Sequence, residues 1–212
     1  MKTDVIVTDM GTSLTCTHAT LKVKKGQRVI TSTGLGEMGF GLPGAIGCAL
    51  ANNISRVVLI VGEGSLMMNL QELQTMNNLK LPIKIILLNN NSYLTIEHTL
   101  KALYGSDQPQ ATNSNNGLTF PSFSKLCKVF GINYSQISSS KNLHSEIIKF
   151  LNVKGSAMID VKMEEGQELI PKSAIKVNED GTVFSPPLED LYPFLPKEEL
   201  EKEMIIPIIE SK

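Results

Sequence analysis

Apolar residues along the chain gather into short runs separated by polar, glycine-bearing stretches, and several of the runs have strand length. They read VIVTD at 5–9, RVITS at 28–32, RVVLIVG at 56–62, IKIILLNN at 83–90 and SAMIDV at 156–161. Between them lie segments whose apolar residues recur every third or fourth position, the spacing of one helical face. The clearest is LMMNLQELQTM, which places Leu66, Leu70, Leu73 and Met76 on one side. Nearly continuous apolar strands alternating with helices predict a parallel sheet covered on both faces. The expected fold class is therefore α/β: a three-layer doubly wound sheet, mostly parallel, with helices on both faces. Residues 132–137 offer one more strand. Pro121 and Gly131 bracket a short helix, FSKLCKVFG, in a proline-start, glycine-end arrangement.

Two stretches break this rhythm. Residues 105–119, GSDQPQATNSNNGLT, are rich in turn formers and predict a mobile loop. From Met163 the chain becomes prolyl and charged, so the α/β domain is expected to span 1–162 and a C-terminal extension 163–212. Phe184, Leu188, Leu191, Tyr192, Phe194 and Leu195 give the extension more apolar anchors than a disordered tail normally carries. It is expected to pack on its own domain or on a partner subunit.

Composition sets the remaining bounds. A chain of 212 residues, 42% hydrophobic and 19% charged, is ordinary globular material. A formal charge of −1 provides no electrostatic case for nucleic acid or a membrane surface. No stretch approaches the roughly 20 apolar residues of a membrane span. The amino terminus lacks the long apolar core of a signal peptide, and a cytoplasmic location is expected. Cys16, Cys48 and Cys127 have no CxxC spacing, and His18, His98 and His144 form no metal-ligand pattern.

The candidate chemistry lies at two strand ends. If 56–62 and 83–90 are parallel neighbours, Glu63 and Asn90 sit side by side at the carboxyl edge of the sheet, where such folds bind ligands. A carboxylate and an amide oxygen are hard ligands, too few to encage a metal, and they suit Mg²⁺ completed by water and phosphate oxygens. Glycines on both sides of Glu63 allow a sharp turn and close approach of backbone to a ligand. Ser65 then stands where a helix begins, a place that favours an anion. The plain structural alternative is a tight strand-to-helix turn.

These residues resemble the cofactor signature of the thiamine diphosphate enzymes, GDG followed after a spacer by NN. Here it reads Gly62-Glu63-Gly64-Ser65 and Asn89-Asn90, with Asn90 27 positions beyond Glu63. The intervening QELQT and LP segments resemble the acetolactate synthase branch. The departure is Glu63, one methylene longer than the family's aspartate. The resemblance implies that Glu63, the Asn90 side chain and the Ser92 carbonyl bind Mg²⁺, which bridges to the cofactor diphosphate. Upstream, ITSTGLGEMGFGLPGAIGCAL at 30–50 resembles the segment that cradles the aminopyrimidine ring. It implies ring contacts from the Gly36 carbonyl and the Met38 backbone, with the Met38 side chain wedged beneath a bent cofactor. TDMGTS places Gly11, Thr12 and Ser13 where the family keeps diphosphate-binding groups, and Gly62, Gly64 and Ser65 join them.

The match extends over the diphosphate-binding domain of a family that usually joins three domains. A separate pyrimidine-binding domain or subunit, which supplies the activating glutamate, is therefore the expected partner within a homo- or hetero-oligomer. The implied substrate is a small-molecule 2-oxo acid, the implied reaction decarboxylation with carboligation, and the chain alone is expected to be inactive. Two alternatives remain at this stage. One is a non-catalytic cofactor-binding remnant or regulatory module. The other is a dinucleotide-binding oxidoreductase domain using Gly34, Gly36 and Gly39 as G-x-G-x-x-G, a pattern with a high false-positive rate.

Overall fold

The computed structural model describes residues 3–51, 54–104, 111–177 and 180–208. Its elements, in chain order, are β1 (Thr3–Thr8), α1 (Thr12–Thr20), β2 (Arg28–Ile30), α2 (Gly41–Leu50), β3 (Ile54–Gly62), α3 (Glu63–Met68), α4 (Glu72–Asn78), β4 (Ile83–Asn89), α5 (Leu94–Tyr104), α6 (Phe123–Val129), β5 (Asn133–Ile137), α7 (Leu143–Leu151) and β6 (Ala157–Lys162). A second group holds β7 (Lys176–Val177), β8 (Val183–Phe184) and α8 (Lys197–Glu203). Internal packing divides the chain into Met1–Gln167 and Glu168–Lys212. Residues 163–167 go with the first unit, where the Met163 amide donates to the Asn89 carbonyl at 2.8 Å.

Six strands form one sheet in the order β2-β1-β3-β4-β6-β5, and every neighbouring pair is parallel. In β4 the successive residues Ile83, Lys84 and Ile85 are all buried. Because neighbouring side chains point to opposite faces, both faces of the sheet are covered. Helix α2 packs against β1 and β3, and α6 and α7 pack against β5. Lys84 is a buried polar residue within the strand. Its ammonium donates to the carbonyls of Val153 and Gly155, as a buried charge must find partners. Among the described residues, no helix is long and apolar enough to cross a membrane.

Leu66, Leu73 and Met76 are buried, as their spacing predicts, but they do not lie on one helix. The helix stops after Met68 and restarts at Glu72, because Asn69 leaves helical geometry and donates to the Gly39 carbonyl at 2.8 Å. The cap of α6 is Ser122, whose hydroxyl accepts from the Lys125 amide; Pro121 stands one residue before it. In the stretch predicted as a mobile loop, residues 105–110 lie outside the described residues. The remainder is tied down by its own polar side chains, which compete for the backbone. Asn113 and Asn116 close a capping box around Ser114–Asn116, and the Tyr93 amide donates to the Thr112 carbonyl at 2.7 Å.

In the unit Glu168–Lys212, β7 and β8 pair antiparallel. Lys176 forms an ion pair with Asp190 and lies 4.3 Å from the centre of the Phe194 ring. The Tyr192 and Phe194 rings meet edge to face at 5.8 Å. Leu188, by contrast, is exposed.

Truncating Ile85, which is fully buried in β4, is expected to remove about 2–5 kcal/mol of unfolding free energy in Ile85→Ala. Leu35→Ala, at a site 86% exposed, should stay within roughly 0.5 kcal/mol of the parent. Urea unfolding of both variants checks the assignment of the core; equal losses would contradict it.

Candidate functional site

A cavity of about 220 Å³ opens at the carboxyl edge of the sheet. It lies where the chain leaves β1 for β2 on one side and returns to place β3 on the other, the switch point at which open α/β sheets bind ligands. Parallel pairing brings Gly62 level with Leu88. Glu63 and Asn90, just beyond, therefore emerge together.

Most of the sequence-predicted residues line this one cavity. Gly11 and Thr12 come from the end of β1, and Gly36 and Met38 from the segment after β2. Gly62, Glu63, Gly64 and Ser65 form the β3–α3 junction, and Asn90 and Ser92 follow β4. Ser13 stands apart. Its hydroxyl donates to the carbonyls of Asp9 and Met10, each at 2.9 Å, and it does not line the cavity.

Glu63 opens α3 and is 2% exposed. Its Oε1 accepts from the Asn90 amide at 3.1 Å and the Ser92 amide at 3.0 Å. Asn90 Oδ1 in turn accepts from the Ser92 amide at 3.0 Å and the Ser92 hydroxyl at 3.3 Å. Asn91 takes a left-handed conformation, φ 55°, which asparagine tolerates better than most residues. That bend turns the Ser92 amide back onto Glu63. Burial pushes the Glu63 carboxyl up from an ordinary 4.5 to about 7, even though amides of Glu63, Ser92, Asn90 and Asn91 oppose the shift. No cationic side chain is paired with it among the described residues.

Asn89 has a different task from Asn90. Its Nδ2 donates to buried Asp160 at 3.1 Å, and Tyr134 and Lys162 complete the partners of that carboxylate, each at 3.0 Å. Burial and the hydrogen bond to Asp160 raise the Tyr134 hydroxyl above its ordinary range. The doublet thus anchors β4 to β6 with one residue and faces the cavity with the next.

Other cavity residues carry no signature of their own in the sequence. Met10, Leu88, Tyr93, Leu94, Thr95 and Ile96 complete the walls. The position of the last four at a helix start directly after Asn89-Asn90 was the available signal. Tyr93 also explains Gly64: a Cβ there would lie 2.1 Å from Tyr93 Cε1 and 3.1 Å from Met38 Cε. Glycine lets both side chains close over the turn. Of the G-x-G-x-x-G glycines, Gly36 lines the cavity and Gly39 is packed against Met68 and Asn69, while α2 begins only at Gly41.

A divalent cation finds a fitting donor set here. One buried carboxylate and one amide oxygen are hard oxygen ligands, and among the described residues no cationic side chain pairs with the Glu63 carboxylate. Among the described residues, no group of three histidine, cysteine, aspartate or glutamate side chains could hold a metal alone. The rest of the coordination would fall to water and phosphate.

The Glu63 shift carries a stability consequence for the metal-free protein. A folded pKa above the unfolded one means that stability is greatest below the ordinary 4.5 and declines as pH rises to about 7. The full penalty is roughly 3 kcal/mol. Glu63→Gln keeps an oxygen for the two amides and removes the ionisation. Urea unfolding in EDTA at acid and neutral pH should show wild type losing about that much against the variant; parallel pH profiles would contradict the assignment.

Comparison with known proteins agrees with this geometry. The family described as thiamine pyrophosphate enzyme, C-terminal TPP binding domain, matches residues 9–161. The acetolactate synthase large subunit of Porphyra purpurea is 33% identical over 167 residues, which cover 79% of this chain and 28% of that protein. Acetolactate synthase isozyme 1 large subunit of Escherichia coli (strain K12) is 33% identical over 170 residues, 79% of this chain and 29% of that protein. The corresponding subunit of Cyanidium caldarium is 35% identical over 167 residues, again 79% of this chain and 28% of the relative. The chain therefore spans less than a third of the length of these relatives. With its match across residues 9–161 and these relatives, the chain belongs to the thiamine pyrophosphate enzymes, as a C-terminal TPP-binding domain of the acetolactate synthase-like branch.

Proposed function

We propose that the chain is the thiamine diphosphate- and Mg²⁺-binding domain or subunit of an acetolactate synthase-like enzyme that decarboxylates 2-oxo acids and joins the product to a second carbonyl compound. The observation that carries this reading is the Glu63 carboxylate, buried at the cavity and gripped by two amides of the Asn90–Ser92 turn. Glu63, the Asn90 side chain and the Ser92 carbonyl would hold Mg²⁺. Gly11, Thr12, Gly62, Gly64 and Ser65 would surround the diphosphate, with Ser13 bracing the preceding turn through the Asp9 and Met10 carbonyls. Gly36 and Met38 would meet the aminopyrimidine through their backbones, and the Met38 side chain would set its bend. The bound cofactor supplies the electron sink for breaking or forming a bond next to a carbonyl.

Glu63 is the one glutamate among the cavity residues, and the metal occupies it on this reading. The acid–base group toward the aminopyrimidine would then come from a separate pyrimidine-binding domain or subunit, within a homo- or hetero-oligomer. This chain alone would bind cofactor and turn nothing over. The longer side chain at Glu63 favours a second reading, a cofactor-binding module without catalytic output. Turnover of a 2-oxo acid after mixing with a pyrimidine-domain chain separates the two.

Calorimetry should show thiamine diphosphate binding that requires Mg²⁺, disappears in EDTA and tightens with the partner chain. Glu63→Ala should abolish the metal-dependent component, whereas Glu63→Asp should keep or improve it. Because the metal needs the ionised carboxylate, affinity should rise about tenfold per pH unit below the Glu63 pKa of about 7 and level off above it. Wild-type binding by Glu63→Ala, or a flat pH dependence, would remove Glu63 from the metal site.

A further inference from the structure

We propose that Asp9 and Asn69 are positioning residues that grip Gly39 from opposite sides and thereby hold Met38 in place at the cavity. Neither residue lines the cavity itself. Asp9 is 2% exposed at the end of β1. Its Oδ1 accepts from the amides of Met10 at 2.7 Å and Gly39 at 3.1 Å, and its Oδ2 accepts from the Gly41 amide at 2.6 Å. From the other direction, Asn69 Nδ2 donates to the Gly39 carbonyl at 2.8 Å. Both peptide groups of Gly39 are thus fixed by side chains distant in sequence.

The packing leaves this segment little freedom. Gly39 has φ +95°, and a Cβ there would lie 2.7 Å from Met68 Cβ and 3.0 Å from Asn69 Nδ2. A Cβ at Gly41 would lie 2.8 Å from Asp9 Oδ2. Met38 directly precedes the gripped residue, and its Cε reaches the position above Gly64. Asn69 caps the carboxyl end of α3, the helix that Glu63 opens. The grip consequently makes the metal-facing and ring-facing halves of the cavity one rigid assembly. Such preorganisation removes an ordering cost on binding. It also accounts for the break between α3 and α4, which sequence periodicity does not predict.

The inference rests on the reading of the cavity as a thiamine diphosphate site, and its test keeps the two apart. Asn69→Asp is nearly isosteric but replaces the donor facing Gly39 with an acceptor; Asp9→Asn leaves one amide of the loop facing an NH₂ group. In the ligand-free protein, the Gly39 and Gly41 amides should exchange roughly tenfold faster in either variant, as loss of one net hydrogen bond implies. The Asn90 and Ser92 amides should keep wild-type rates. With Mg²⁺ present, calorimetry should find inorganic pyrophosphate bound as tightly as by wild type, while the advantage of thiamine diphosphate over pyrophosphate shrinks by about tenfold. Unchanged Gly39 exchange, an unchanged ratio of the two ligands, or equal weakening of both would overturn the proposal. If wild type shows no preference for thiamine diphosphate, the cofactor reading fails, and the exchange rates still decide whether the grip exists.

Discussion

The register between β3 and β4 is the constraint on which the site depends. Gly62 pairs with Leu88, so the two strands end within one residue of each other and release Glu63 and Asn90 as near neighbours, and the Asn91 bend returns the Ser92 amide to the Glu63 carboxylate. A slip of one residue would send alternate side chains to the wrong face of the sheet. The slip is opposed from both sides, because Ile83, Ile85 and Leu87 are fully buried and Asn89 is bound to Asp160 on β6. The hydrophobic core thus serves the site as a ruler: burial fixes where each strand ends, and the polar groups stand just beyond that point.

The loops over this edge are held by polar side chains that have few other tasks. Asp9 collects three amides from two segments. Backbone contacts add to this: the Thr112 carbonyl accepts from the Tyr93 amide and Asn113 forms an isolated β-bridge with Ser92, from the described part of the long connection. Close contact of the Tyr93 ring with Gly64 closes the remaining space. Backbone without regular pairing is thereby kept in one shape, as buried irregular chain requires its donors and acceptors to be satisfied.

Much of this was legible in the sequence, for reasons that can be stated residue by residue. Apolar runs located the strands because a parallel sheet buries both faces, and the glycines around Glu63 with the later Asn89-Asn90 marked the two strand ends that meet at the cavity. Other features depend on partners distant in the chain. The pattern from Leu66 to Met76 carries the correct buried face and gives no sign that Asn69 will leave the helix for Gly39. Asn89 and Asn90 are the same residue type, and only the position of Asp160 shows that they work on opposite sides of β4. Ser13 looks like an anion ligand in TDMGTS, yet the start of α1 turns its hydroxyl toward the carbonyls of Asp9 and Met10. Proline at position 121 suggested the first turn of α6, but the Ser122 hydroxyl is the stronger cap because it can accept from the backbone.

A single carboxylate at pKa about 7 also bears on how cofactor and metal would arrive. On the proposed reading, a divalent cation bound by Glu63 alone would leave a net positive charge in a partly buried cavity, where uncompensated charge is costly. A diphosphate alone would meet the Glu63 anion, and like charges close together repel. Each guest removes the other's penalty, so the two bind best as a pair. A glutamate also reaches farther than an aspartate, and here its carboxylate accepts from the Asn90 and Ser92 amides. The amides hold one oxygen and orient the other. On the proposed reading, these backbone donors would supply the fixed geometry that small, rigid Mg²⁺ demands, and the sequence departure at Glu63 would change how the ligand is aimed while keeping its chemistry.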